Sequence, residues 1–170
     1  MLNTWMGKTA RQLIVDNLNE NDTMVEFGSG GSTLDFSTFV KQYYSYEFNK
    51  QWFDKTSAAI QNKNLKNINY YYTPVAIPDY TNFITQFTNC KIGKIDKVLI
   101  DGRERVKCAK AIIPWITKDT LVFIHDWERE RYKCVLEWYD IVEESIPESV
   151  EEAISNNYQA LTVVLKLKES

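Results

Sequence analysis

The chain has 170 residues, of which 44% are hydrophobic, 14% aromatic and 25% charged, and its formal net charge at pH 7 is -3. This length and composition predict one domain with a sizeable core that needs neither disulfides nor a structural metal. The slightly acidic balance provides no basic field for a nucleic-acid backbone, so we expect no nucleic-acid partner. No apolar run approaches the ~20 residues that cross a bilayer, and we expect no membrane partner.

Cysteine usage and the N-terminal residues bear on the compartment. Cys90, Cys108 and Cys134 are widely spaced and form no CxxC pair. This pattern indicates neither a zinc site nor a disulfide framework, and it favours a reducing compartment. The opening residues MLNTWMGKTARQ lack the apolar core of a signal peptide. We therefore expect a cytoplasmic protein.

Short apolar strands alternate with helical stretches along the chain, and no repeat or linker interrupts them, which predicts a single domain over 1–170. A proline, Pro114, interrupts one helix, and only a weak helical signal at 150–154 separates the last two strands. In chain order we predict helix 9–18, strand 24–27, helix 32–40, strand 43–48, helix 51–61, strand 68–72, a loop with a helix at 79–89, strand 97–100, helix 106–116, strand 121–124, helix 131–138, and strands 140–146 and 161–167.

Strands separated by helices predict an α/β fold with a largely parallel sheet, and the last two strands predict an antiparallel edge. In such sheets ligands bind outside the carboxyl ends of the strands, where the strand order reverses. Polar residues stand at the carboxyl ends of four of the predicted strands, either as one of the last residues or directly after. They are Glu26, Glu47, Asp101, and the pair His125 and Asp126. We therefore expect the chemistry of the protein to lie at this edge.

A glycine-rich turn, EFGSGGST, follows the first strand. Glycines such as Gly28 and Gly30 allow a sharp turn and a close approach to a ligand, and the amides and hydroxyls of Ser32 and Thr33 can meet ligand oxygens. A phosphate-binding loop would need a GK[ST] ending, which is missing, and the third glycine of a dinucleotide fingerprint is replaced by Thr33. The alternative is a glycine turn without any ligand.

Two carboxylates narrow the choice of ligand. Glu26, directly before the glycine turn, would oppose a pyrophosphate but attract an ammonium group. Glu47 ends the second strand about twenty residues later, where an acidic residue can accept both ribose hydroxyls. A nucleoside that carries an ammonium group and free ribose hydroxyls is S-adenosylmethionine.

Four segments, in order, carry a family resemblance: VEFGSGGST, YYSYEFNKQWFDK, KVLIDGRERVKCAKAI and LVFIHDWERERY. They resemble the class I S-adenosylmethionine-dependent methyltransferases, and more narrowly a small group with E-x-G-S-G-G-S-T, D-G-R-x-R and H-D-W-x-R-x-x-Y signatures. The resemblance covers Thr23 to Tyr132. It implies a Rossmann-like, doubly wound sheet of seven strands with helices on both faces, and methyl transfer from S-adenosylmethionine to a sugar, glycan or other small hydroxylated acceptor.

The resemblance also implies which residues bind the cofactor. Glu26, Gly28 and Gly30 would line the methionine end, and Glu47 would hold the ribose. Many relatives carry an acidic residue after this glutamate, whereas this chain has Phe48, which we expect to lie against the adenine. The remaining predicted cofactor contacts are the turn residues Ser29, Ser32 and Thr33.

Acceptor chemistry is expected from the ends of the fourth and fifth strands. Methylation of a hydroxyl needs removal of its proton and alignment of its oxygen with the methyl group. We predict Asp101, His125 and Asp126 as catalytic residues, with either Asp101 or His125 as the base. Arg103 and Arg105 are predicted to bind the acceptor, because their planar forks suit a carboxylate, a phosphate or a polyol edge.

Several alternatives stay open at this stage. A divalent metal is the less favoured reading, because Asp101 and Asp126 are hard oxygen ligands but no third acid accompanies them. Trp127 and Tyr132 serve either in packing or as a platform for the acceptor. A non-catalytic module that keeps the fold is the alternative to an enzyme, and a homodimer would be one way to complete an open acceptor site.

Overall fold

A computed structural model describes residues 2, 6–74, 92–146 and 161–169. The predicted loop with a helix at 79–89 and the weak helical segment 150–154 lie outside these residues. The helices are α1 (Lys8–Asp16), α2 (Gly31–Phe36), α3 (Lys50–Asn62) and α4 (Arg105–Ile112), and 3-10 helices span Ser37–Phe39, Ile113–Trp115 and Glu130–Glu137. The strands are β1 (Thr23–Phe27), β2 (Gln42–Glu47), β3 (Ile68–Tyr72), β4 (Lys97–Ile100), β5 (Leu121–His125), β6 (Tyr139–Glu144) and β7 (Thr162–Leu167).

All seven strands form one sheet in the order β3-β2-β1-β4-β5-β7-β6. The first five run parallel, whereas β7 is antiparallel to both β5 and β6. The chain builds outward from β1 to β3, then returns to the other side of β1 with β4, so the strand order reverses between β1 and β4. This confirms the predicted Rossmann-like, doubly wound sheet with an antiparallel C-terminal edge.

Two apolar layers cover the two faces of the sheet. Successive residues of a strand point to opposite faces, and Val98 and Ile100 of β4 enter one cluster with Cys108 and Ile112 of α4. Leu99, between them, enters the other cluster, which also contains Leu13 and Ile14 of α1 and Phe36 of α2. The central strands read as continuous apolar runs because both of their faces are buried.

Several predicted boundaries shift for local reasons. The helix predicted to 116 ends at Ile112 and continues as a 3-10 turn, since Pro114 donates no hydrogen bond and sits at the start of that turn. The segment predicted as helix 131–138 is a 3-10 helix, and Tyr139 already belongs to β6. Most of β6 is exposed, with Ile141 and Val142 at 45% and 51%, because it lies at the edge of the sheet.

Within the described part of the chain, no helix has the length and apolar character needed to traverse a bilayer.

Candidate active site

A cleft of about 780 Å³ opens at the carboxyl ends of the parallel strands, next to the point where the strand order reverses. A second cavity of about 390 Å³ adjoins it and shares Ser29, Asp101 and Asp126 among its walls. The cleft is lined by residues that follow β1, β2, β4 and β5: Gly28, Ser29, Glu47, Phe48, Asn49, Trp52, Asp101, Gly102, Arg103, Glu104, Arg105, Val106, Asp126, Arg129, Arg131 and Tyr132.

Gly28 is required by a contact between two loops rather than by a ligand. Its φ is +92°, and an added Cβ would lie 2.5 Å from the Cα and the N of Gly102. The two loops meet because the amide of Asp101 donates to the carbonyl of Phe27 (2.9 Å), which extends the β1–β4 ladder. Gly30 differs, since a Cβ there would meet no atom within 4 Å. The open space that the glycine turn offers to a ligand therefore lies at Gly30.

Glu26 lies beneath the glycine turn and is fully buried. Its carboxylate accepts hydrogen bonds from the hydroxyls of Ser32 (2.5 Å), Thr33 (2.6 Å) and Ser45 (2.6 Å). Burial raises the pKa of Glu26 to about 7, and the three hydroxyl donors oppose that shift. Glu26 does not appear among the residues that line the two cavities. In this structure it joins β1, α2 and β2, and a direct contact with a cofactor stays a prediction.

Ser32 and Thr33 are likewise turned inward, since their hydroxyls donate to Glu26. Thr33 also accepts from the amide of Gly30 at 3.0 Å, which holds the turn against the first residues of α2. Ser32 lines the smaller cavity, whereas Thr33 is fully buried. Of the two, only Ser32 is placed to meet a ligand.

Glu47 stands at the carboxyl end of β2 and lines the cleft. One carboxylate oxygen accepts from the amide (2.9 Å) and the hydroxyl (3.0 Å) of Ser29, and the other accepts from the amide of Asn49 (2.7 Å). The hydroxyl of Ser29 lies 2.5 Å from the hydroxyl of Tyr70 on β3. Oε2 accepts two of these hydrogen bonds and Oε1 accepts one, so Glu47 is fixed in place and Oε1 can still accept another.

Phe48 follows Glu47 at the wall of the cleft and packs against the core on its other side. The guanidinium carbon of Arg103 lies 5.8 Å from the centre of its ring. Arg103 is exposed and comes from the loop after β4. A residue predicted to contact the adenine and one predicted to bind the acceptor are therefore direct neighbours in the cleft.

Arg105 ties the ends of β4 and β5 together. Its Nε donates to the carbonyl of Gly102 (2.9 Å), and its Nη1 donates to the carbonyl of His125. Its Nη2 forms ion pairs with Asp101 (3.2 Å) and Asp126 (2.8 Å). Because Arg105 is buried and its guanidinium is engaged by the protein, the structure gives it a positioning role at the site where we predicted an acceptor contact.

The three predicted catalytic residues converge, and all of them line the smaller cavity. Nε2 of His125 lies 3.9 Å from Oδ1 of Asp126. Nδ1 of His125 lies 3.0 Å from the hydroxyl of Thr162, its partner across the β5–β7 ladder, which orients the ring. Burial raises the pKa of Asp101, while the neighbouring His125 and Arg105 side chains oppose that shift.

Backbone geometry sets apart two residues at the rim. Glu104 and Asp126 have φ values of +52° and +56°, in the left-handed region that costs a non-glycine residue roughly 1–2 kcal/mol. Asp126 is held there by ion pairs of its Oδ2 with Arg105 and with Arg129 (3.1 Å). Such conformations cluster at functional sites because the surrounding structure must enforce them.

Trp127 and Tyr132, each predicted either to pack or to form a platform for the acceptor, take different places in the structure. Trp127 is fully buried and donates from its indole to Glu144 (2.8 Å), so it packs and does not face an acceptor. Tyr132 lines the cleft. Among the described residues, no group of three or more His, Cys, Asp or Glu side chains is arranged to hold a metal ion.

Sequence reasoning missed several residues of the site, among them Tyr70, Arg129, Arg131 and Thr162. A signal for two of them was present, because Arg129 and Arg131 are spaced two apart after β5, as Arg103 and Arg105 are after β4. Tyr70 and Thr162 gave none, since each reaches the site only through the pairing of its strand with a neighbour.

Comparisons with known proteins show likeness in structure only. No protein-family model matches the chain, and no curated protein matches its sequence. A methyltransferase-like protein from Silicibacter pomeroyi has a TM-score of 0.73 at 20% identity, covering 96% of this chain and 88% of that chain. An rRNA methylase from Streptococcus thermophilus has a TM-score of 0.65 at 14% identity, covering 93% of each chain.

A third similar structure contains a ligand. It is a candidate methyltransferase from Streptococcus mutans in complex with S-adenosylhomocysteine, with a TM-score of 0.63 at 13% identity, covering 94% of this chain and 98% of that chain. At these identities the likeness shows the fold. The chain has the Rossmann-like fold of class I methyltransferases, over nearly its whole length.

Proposed function

We propose that the protein is an S-adenosylmethionine-dependent O-methyltransferase acting on a hydroxyl of a sugar, a glycan or another small hydroxylated acceptor. The observation that carries this proposal is Glu47, a fixed carboxylate at the wall of the cleft, at the end of the second strand and beside the glycine turn. The fold, shared with a neighbour that binds S-adenosylhomocysteine, supports the choice of cofactor.

The residues present fit this cofactor. The open space at Gly30 is a cradle that any side chain would enter. Glu47 would hold the ribose hydroxyls, Phe48 would lie against the adenine, and Gly28, Ser29 and Ser32 would complete the wall. S-adenosylmethionine, when bound, supplies a methyl group activated on a sulfonium.

The contribution of the chain itself is to orient the acceptor and to take the proton from its hydroxyl. Asp101 and His125 stand on the acceptor side as the two candidate bases, and Asp126 faces Nε2 of His125. Arg105 positions both acids, since one of its nitrogens pairs with each of them. A group with a raised pKa, as at Asp101, is a better proton acceptor than an ordinary carboxylate.

The nature of the acceptor separates this proposal from its nearest rival. The rRNA methylase among the neighbours shows that this fold also serves RNA. The chain carries a net charge of -3, whereas proteins that bind an RNA backbone usually present a basic surface. We therefore favour a small acceptor. We further propose that the protein acts in the cytoplasm, as a monomer or as a homodimer. The alternative is a non-catalytic module that binds the cofactor.

Calorimetric titration with S-adenosylhomocysteine tests the cofactor. Glu47→Ala removes the acceptor of the ribose hydrogen bonds, each worth about 1.5–3 kcal/mol to a charged group. We expect the affinity to fall by about tenfold or more. Asp54→Ala, which removes an exposed carboxylate of α3, is the matched control and should bind normally. Preference for NAD over S-adenosylhomocysteine would contradict the assignment.

Transfer of a labelled methyl group tests the reaction. We expect incorporation into a hydroxylated small molecule from a panel of sugars, and none into bulk rRNA or tRNA. Incorporation of the label into RNA would contradict the small-molecule acceptor and assign RNA as the acceptor. Tight binding of S-adenosylhomocysteine with no transfer to either panel would favour the non-catalytic module.

A further inference from the structure

The acceptor side of the cleft contains an arrangement of arginines that the proposed function does not explain. Four arginines line the cleft: Arg103, Arg105, Arg129 and Arg131. Four carboxylates line it as well: Glu47, Asp101, Glu104 and Asp126. The lining is therefore neutral in sum, and any selectivity for a charged ligand depends on how these groups are paired.

Two of the arginines are paired with carboxylates. Arg105 forms ion pairs with Asp101 (3.2 Å) and Asp126 (2.8 Å). Arg129 forms ion pairs with Asp126 (3.1 Å) and, from Nε, with Glu128 (3.8 Å). The charge of both is therefore paired within the protein, and Arg105 also uses most of its donors there.

Arg103 and Arg131 are held differently. The guanidinium of Arg103 lies over the ring of Phe48, and that of Arg131 lies 5.0 Å from the ring centre of Tyr132. Both side chains are exposed, and within the described residues neither has a carboxylate at ion-pair distance. Arg131 donates one hydrogen bond, from Nη2 to the hydroxyl of Tyr132 (3.1 Å).

A ring face orients a guanidinium without consuming its donors. Arginine carries five N–H donors in a planar fork that matches a carboxylate or a phosphate. A guanidinium that stacks on an aromatic ring keeps the outer edge of this fork available. Arg103 and Arg131 therefore present oriented and unused donors to the same cleft.

The carboxylates that line the cleft do not compensate the positive charges of Arg103 and Arg131. Glu104 pairs with Lys107 (3.0 Å), and Asp101 and Asp126 pair with Arg105. Glu47 accepts from two backbone amides. Each of these acids already has a partner, so a ligand that pairs with Arg103 and Arg131 would have to bring its own negative charge.

We propose that the acceptor carries an oxyanion, a carboxylate or a phosphate, that is bound by Arg131 together with Arg103. The proposal rests on the proposed function, because it assumes that the molecule held at this place is the methyl acceptor. Arg131 follows β5 and lies beside Tyr132, whereas Arg103 lies over Phe48, at the boundary with the proposed cofactor residues. An acidic or phosphorylated sugar is the class of acceptor that this pair of arginines fits.

Titration of three matched probes tests the proposal: glucose, glucuronate and glucose 6-phosphate, each with the protein alone and with the protein saturated with S-adenosylhomocysteine. We expect at least one charged probe to bind about tenfold more tightly than glucose, as hydrogen bonds to charged groups predict. The preference should weaken as salt is added, because part of it is electrostatic. The probe that binds better identifies the anion as a carboxylate or a phosphate.

Arg131→Gln and Arg103→Gln should each reduce this preference to about twofold or less, with the affinity for glucose unchanged. Lys133→Gln is the matched control, since Lys133 also lies over a ring, at 3.7 Å from that of Trp127, but does not line the cleft. It removes the same charge and should keep the preference.

Three results would overturn the proposal. Glucose could bind as tightly as the charged probes, Lys133→Gln could abolish the preference as fully as Arg131→Gln, or the arginine variants could lose affinity for S-adenosylhomocysteine in place of the charged probes. A failure to bind S-adenosylhomocysteine at all would contradict the proposed function only, because the probe comparison is also made on the protein alone.

Discussion

At the scale of single residues, Gly28 and Gly30 of the turn are glycines for different physical reasons. Gly28 is fixed by a positive φ and by the backbone of Gly102 against it, whereas Gly30 borders open space. The same residue type is therefore required by packing at one position and borders unfilled space at the other. A sequence motif does not separate these roles, because both glycines allow a tight turn.

The pair allows a direct test. Gly28→Ala should lower the free energy of unfolding by on the order of 2–4 kcal/mol, since it combines a strained φ with an overlap against backbone that cannot yield easily. Gly30→Ala is the matched variant and should change stability by less than about 1 kcal/mol. It should instead weaken binding of S-adenosylhomocysteine. Denaturant unfolding and calorimetry measure the two quantities, and an equally stable Gly28→Ala variant would contradict the packing argument.

At the scale of secondary-structure elements, Glu26 is the main polar link of the site. Its carboxylate, on β1, binds hydroxyls from α2 and from β2, so three elements share one buried charge. An ionised buried carboxylate is costly unless it is hydrogen-bonded. The three hydroxyls reduce that cost without removing it, because the pKa of Glu26 is still raised to about 7.

This raised pKa predicts a pH dependence of stability. Between its ordinary value of 4.5 and about 7, the folded protein keeps the proton of Glu26 that the unfolded chain has released. The contribution of Glu26 is therefore fully present below pH ~4.5 and is lost as the pH rises to ~7, by on the order of 3 kcal/mol. Glu26→Gln carries no such charge, and its stability relative to the wild type should rise over this interval.

Thermal unfolding at several pH values measures this difference. Glu137→Gln removes an exposed carboxylate from the 3-10 helix before β6, and its stability should follow that of the wild type across the same range. A constant difference between Glu26→Gln and the wild type at all pH values would show that Glu26 has the same pKa in the folded and the unfolded protein, and would contradict the raised pKa.

At the scale of the whole molecule, the sheet separates two sets of contacts. The proposed cofactor residues follow β1 and β2, whereas the proposed catalytic residues follow β4 and β5, on the other side of the point where the strand order reverses. Arg105 joins the ends of β4 and β5 into one unit. Binding of the cofactor and transfer of the methyl group should therefore respond to different substitutions.

Asp101→Asn and His125→Ala should each reduce methyl transfer while affinity for S-adenosylhomocysteine stays nearly unchanged. Loss of a positioned general base typically lowers the rate by ~10²–10⁴. Lys66→Gln, an exposed site in the connection between α3 and β3, is the control and should transfer at the wild-type rate. Turnover by both variants at the wild-type rate would refute these roles. Loss of transfer on chelation, with recovery in magnesium, would make Asp101 and Asp126 ligands in place of bases.

The strand positions, the parallel order of the sheet and the edge that carries the polar residues follow from local patterns in the sequence. The strands at 68–72 and 97–100 have the predicted bounds, since a run of apolar or β-branched residues between polar breaks has few other ways to be buried. The parallel order and the placement of the polar residues at one edge also follow, because alternating strands and helices bring the carboxyl ends of the strands together. The sequence by itself thus determined the fold class and the position of the candidate site.

The tertiary structure decided what each side chain does there. The partners of Glu26 include Ser45 on a neighbouring strand, and Gly28 is constrained by Gly102, which is distant in the chain. Arg105 turned inward while Arg131 stayed exposed over an aromatic ring. These outcomes depend on contacts between segments far apart in sequence, where burial and pairing compete. Only the packed molecule shows which arginine is buried in ion pairs and which stays exposed.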